Sequence, residues 1–167
     1  MSSVLVLCVV SAAAWLSAAP APAHADRGVP SVPNTPYGTS FGTFGNHDFC
    51  RGAVHFGLSA PANKPGFVRV TLTSSGFTGQ GAGWKRNPRC GVLLLESHMG
   101  SAGFRETPIR ASFGPRRGER VSRLIYTGSG PLNIGVAPYA LNSAVRTPQG
   151  QGVGLSLIHI SEPTRPY

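Results

Sequence analysis

Phe67-Val68-Arg69-Val70-Thr71-Leu72-Thr73 decides how this chain is read. Val68, Val70 and Leu72 recur at every second position, with Arg69, Thr71 and Thr73 between them. Strand side chains point alternately to opposite faces, so the pattern puts three apolar groups on one face and three polar ones on the other. That is a half-buried strand. Outward from it the same kind of signal repeats. Val92-Leu93-Leu94-Leu95 is continuously apolar, as a central strand is. Residues 53–58, 107–113, 120–127 and 132–136 are further short runs, the last stopped by Pro138, and a strand is expected to begin near Val145.

Turn residues separate these runs: Pro65-Gly66, Ser75-Gly76, the glycines of 79–83 and 100–103, Gly114-Pro115-Arg116-Arg117-Gly118 and Gly128-Ser129-Gly130-Pro131. Glycine reaches positive φ without a Cβ clash, and proline fixes φ and removes a donor. No window after the N-terminal segment repeats with a helical period. The expected fold is all-β: a small antiparallel β-sandwich or barrel. An immunoglobulin domain is not indicated. Its tryptophan should follow the first cysteine closely, whereas Trp84 stands just ahead of Cys90, and Pro88 occupies the tyrosine-corner position.

Two segments flank this domain. Residues 1–25 read as a signal peptide. Val4 to Leu16 is uncharged and apolar, and as a helix it spans only about 20 Å, short of a bilayer core. Ala23-His24-Ala25 supplies a small-residue cleavage site and predicts a mature start at Asp26. No Lys or Arg precedes the apolar run, a departure from the usual pattern. Residues 26–46 form a Pro- and Gly-rich extended lead-in, expected to dock through Tyr37, Phe41 and Phe44. The β-domain is expected to occupy residues 47–154.

The remaining stretch is Leu155-Ser-Leu-Ile-His-Ile-Ser-Glu-Pro-Thr-Arg165. It resembles, residue for residue, the forward translation of a common transposase-type sequencing adapter. The base left after the last whole codon begins every proline codon, and Pro166 follows. The resemblance implies that residues 155–167 are an artefact, that His159, Glu162 and Arg165 carry no function, and that the domain is truncated at its C-terminus. The domain itself is similar in general style to small exported proteins of unknown function from high-GC bacteria. That resemblance carries no motif.

The chain has 15 Lys and Arg against 6 Asp and Glu, a net charge of +9. Discounting the tail removes one Arg and one Glu and leaves that value unchanged. Such a body attracts polyanions: anionic envelope polymers, acidic lipids or nucleic acid. The charges are scattered, without a run of five or six. The densest group is Arg116, Arg117 and Arg120 around Glu119, read either as an anion-binding loop or as an ordinary solvated turn. Two cysteines remain in the mature segment, Cys50 and Cys90, 40 positions apart. An oxidising compartment favours one disulfide between them, worth about 4 kcal/mol on the chain-entropy model.

Candidate chemistry is sparse. Glu96, His98 and Arg105 have the residue types of a small nuclease: acid, base and phosphate holder. No nucleophile elbow supports a serine hydrolase. His47, Asp48 and His55 are too few and too loosely spaced to predict a metal site, and five carboxylates outside the tail disfavour a calcium cage or paired-carboxylate glycosidase. No cofactor motif is present. Trp84, with Lys85 and Arg86, sits in a Gly-rich loop where it either stacks on a sugar or base or caps the core beside the disulfide. The leading expectation is a secreted, non-enzymatic domain at the cell envelope that binds a polyanionic or protein partner. The alternatives are a small secreted nuclease-like hydrolase, and an inhibitor presenting the loop 79–88.

Overall fold

A computed structural model describes residues 26–29, 32–33, 36 and 38–160, with backbone alone for 157–160. The signal-peptide reading, Tyr37 and residues 161–167 lie outside the described residues. Ten strands are present among the described residues: β1 (Arg27–Gly28), β2 (Val32–Pro33), β3 (Ser40–Phe44), β4 (Arg51–Ala60), β5 (Phe67–Thr78), β6 (Cys90–Gly100), β7 (Gly103–Phe113), β8 (Arg120–Tyr126), β9 (Gly130–Tyr139) and β10 (Val153–Ile160). One short helix, α1 (Gly81–Arg86), interrupts them.

The strands form two antiparallel sheets. The first runs β1-β4-β5-β8, with β3 also paired to β4; the second runs β2-β10-β9-β6-β7. Their apolar faces meet. Val54, Phe56, Val68, Val70, Leu72 and Ile125 of the first sheet and Val92, Leu94, Ile109, Phe113, Ile134 and Val136 of the second are buried in one core. Each such side chain stabilises by roughly 1.5–3 kcal/mol when fully buried. Phe77 and Phe113 stack across the sheets with ring centroids 5.4 Å apart. Cys50, just ahead of β4, and Cys90, which opens β6, are joined by the expected disulfide, so the bridge staples one sheet to the other. No helix among the described residues is long and apolar enough to cross a membrane.

Several local expectations need correction. The strands are longer than the sequence runs, because cross-strand pairing carries the backbone through polar ends. Ser75-Gly76 is not a turn. Gly52 pairs with Phe77 and Val54 with Ser74, which leaves one extra residue on β5. Gly76, at φ 97, is that bulge. Pro138 does not stop β9, because it pairs with Leu94 beyond the point where β10 ends its own pairing with β9. The lead-in contributes strands to both sheets: β1 pairs with β4, β2 with β10, and β3 with β4 from Ser40↔His55 to Phe44↔Arg51. Of its docking aromatics Phe41 is buried, whereas Phe44 is 47% exposed. Residues 79–86 are not simply a mobile loop but contain α1. The strand expected from Val145 begins at Val153, and its register against β9 shifts between Leu155 and Ile158, within the segment that resembles adapter translation.

Candidate functional site

Glu96 and His98 come together, but not at a surface. Along β6 the residues Cys90, Val92, Leu94, Glu96 and His98 share the inward face. Both polar groups are therefore carried into the space between the sheets, where His98 Nδ1 lies 2.9 Å from Glu96 Oε1. Their side chains are 0–1% exposed. Glu96 Oε2 and His98 Nε2 have no geometric hydrogen-bond partner among the described residues. Burial pushes the Glu96 carboxyl above its ordinary range, opposed by the hydrogen bond and charge of His98 and by nearby Thr107, its cross-strand partner.

Arg105 stands directly opposite His98 in the β6–β7 ladder but is exposed, and no hydrogen bond joins it to either partner. A cavity of about 360 Å³ is lined by Ser97, His98, Met99, Phe104, Asn133 and Ile134. Ser97, Met99, Phe104 and Asn133 alternate to the outer face of the sheet, whereas His98 belongs to the inner one and its side chain is only 1% exposed. An acid–base set for a nuclease is thus not assembled around a cleft.

A second acid–histidine pair sits beside the disulfide. His47 Nδ1 is 2.7 Å from Asp48 Oδ2, and the other ring nitrogen is 2.7 Å from the Arg89 carbonyl. These two hydrogen bonds, the Asp48 one first, raise the His47 pKa above its ordinary value. Among the described residues no three His, Cys, Asp or Glu side chains are grouped as metal ligands. His55 is instead on the outer face of β4, 3.1 Å from Thr39 Oγ1 and 3.2 Å from Ser40 Oγ.

Trp84, on α1, is half-buried against the core cluster, with its ring 6.2 Å from that of His47. Lys85 and Arg86 stay exposed at the last turn of α1.

The arginines are where folding adds most. β7 is an edge of the second sheet and β8 an edge of the first. The loop 114–119 joins them at one end, and the hydrogen bond from Ala102 N to Thr127 O ties their other ends. The two edges are thus tied together at both ends. Arg105 and Arg110 on β7, Arg116 and Arg117 in the loop, and Arg120 and Arg123 on β8 are all exposed, and none joins an ion pair among the described residues. The carboxylates of this region are already engaged, Glu119 with Arg89 at 2.7 Å and Glu106 with Arg146 at 2.9 Å. Arg116, Arg117 and Arg120 are legible in the sequence as a dense patch with Arg123 close by. Arg105 and Arg110 join them only through strand order.

No protein-family profile matches this chain, and neither does any curated protein or solved structure.

Proposed function

We propose that this is an exported, non-enzymatic β-domain that binds an anionic polymer at the cell envelope through the β7–β8 edge. One observation carries the reading: six exposed arginines, without acidic partners among the described residues, are carried by the edge strands β7 and β8 and the loop that joins them. Like charges on neighbouring elements repel one another, a cost that a polyanion offsets on binding. Arginine forks also match phosphate and carboxylate geometry. The disulfide supports an oxidising compartment. The nuclease alternative loses its support, because its acid and base are sealed in the core. The inhibitor alternative is weakened as well, because α1 and the half-buried Trp84 occupy its loop.

The test is retention of the full chain on immobilised teichoic-type polymer and on heparin across a salt gradient. Binding is expected at low salt and is expected to weaken steeply as salt rises. The variant Arg116→Ala/Arg117→Ala/Arg120→Ala/Arg123→Ala should elute at clearly lower salt. Wild-type-like retention of that variant, or no retention of the parent at low salt, would overturn the proposal.

A further inference from the structure

A different surface carries a second site. Beside the Cys50–Cys90 bridge opens a cleft of about 830 Å³, within the range of small-molecule sites. Phe44 and Phe49, 47% and 77% exposed, line it together with Asn46, His47, Asp48, Gln80 and Gln149. We propose that this cleft binds a neutral glycan, with the two phenyl rings against sugar faces and the amides and carboxylate on sugar hydroxyls.

The chemistry argues for that ligand class. A sugar ring has apolar C–H faces and hydroxyl edges, and it is recognised by flat aromatic surfaces beside groups that both donate and accept. Gln80 and Gln149 make no side-chain hydrogen bond among the described residues. Among the described residues Asn46 engages its Oδ1, with Gly91 N at 2.9 Å, and not its amide nitrogen. Among the same residues Asp48 engages Oδ2, with His47, and not Oδ1. No Arg or Lys lines the cleft, and both ring nitrogens of His47, the one basic side chain in its lining, are engaged by Asp48 and the Arg89 carbonyl, so the site is distinct from the arginine edge.

The cleft is held in shape. Gly45 N donates to Cys50 O at 2.8 Å, Cys50 N to His47 O at 2.9 Å and Gln80 N to Asp48 O at 2.8 Å. Asp48 and Phe49 are the only non-glycine residues with positive φ among the described residues, at 50° and 49°. This disfavoured backbone turns the Phe49 ring out to solvent, and the surrounding bonds and the disulfide keep it there.

The experiment uses the oxidised full chain in about 1 M salt, where the Debye length is about 3 Å and arginine-edge binding is suppressed. The probes are insoluble chitin, cellulose and xylan in co-sedimentation. Binding to at least one is expected to persist at that salt. It is expected to fall at least about tenfold in Phe49→Ala and in Gln80→Ala. Gln80 is exposed, so its substitution leaves the fold intact, and near-ultraviolet circular dichroism checks both variants. Failure to bind all three polysaccharides overturns the proposal, as does undiminished binding by both variants. So does a dimer that Phe49→Ala dissociates, which would assign the cleft to self-association. Loss of salt-sensitive retention without loss of this binding would strike only the arginine-edge reading.

Discussion

His47–Asp48 and Glu96–His98 are the same chemical pair in opposite surroundings. The first has an N–O distance of 2.7 Å with 27% and 29% of its side chains exposed; the second has 2.9 Å with 1% and 0%. Geometry barely separates them, yet they differ in which group is perturbed. At the surface water still solvates both members, so the hydrogen bond that His47 donates to Asp48 dominates and His47 holds its proton more tightly. In the core desolvation dominates, and Glu96 is the group pushed toward its neutral form. A short acid–histidine contact therefore does not by itself mark an active site. What surrounds it decides whether it works at a surface or only costs free energy in a core.

The largest effect follows from breaking the buried pair. His98→Ala takes from the buried carboxyl its histidine partner, leaves only Thr107 beside it, and is expected to cost about 3–5 kcal/mol in urea unfolding. Replacing both members by packing side chains, Glu96→Leu/His98→Leu, removes the uncompensated groups and is expected to recover most of that loss. A His98→Ala protein within about 1 kcal/mol of wild type would show that water reaches the pair and that the two environments are alike.

The contrast also shows what the sequence could reveal. Alternation in residues 67–73 marked β5 and its inward face correctly, because period 2 is a local property of the backbone. The same alternation, extended along β6, assigns Glu96 and His98 to the side of Val92 and Leu94. The continuous run of 92–95 hid it, since Leu93 and Leu95 on the other face are also apolar. The disulfide was legible because two cysteines leave one pairing. The arginine edge was not, because it depends on β7 and β8 closing different sheets, and strand order is a non-local outcome. The cleft was missed for a similar reason: Trp84 was the conspicuous aromatic, but burial takes it away from solvent and leaves Phe44 and Phe49 exposed instead.

The next effect is a pH dependence that belongs to the buried pair. The folded-state pKa of Glu96 lies above its ordinary 4.5, so between those values the native state binds more protons than the unfolded chain. Stability then falls as pH rises through that window. The contribution is fully present below about 4.5 and lost above the raised value. Glu96→Gln, which stays neutral, is expected to flatten the slope of unfolding free energy against pH just above 4.5. An unchanged slope in the variant would mean that other groups carry it.

The smallest effect belongs to the exposed pair, and it runs over a different range. His47 is raised above 6.5, so its contribution is present below 6.5 and is lost as pH rises through the folded value. Solvent screening keeps the sum small, and His47→Ala is expected to cost less than about 1 kcal/mol even in acid. The informative measurement is the His47 ring titration by NMR at low and high salt. Its leading causes are the hydrogen bonds to Asp48 and to the Arg89 carbonyl, with the charge of Asp48 acting last. Short-range bonds are not screened by ions, whereas a Coulombic attraction at the surface is. The raised value should therefore survive about 1 M salt and drop in Asp48→Ala. If salt alone brings it back to 6.5, charge rather than bonding sets the exposed pair. The difference from the core pair would then lie in the type of force as well as in its surroundings.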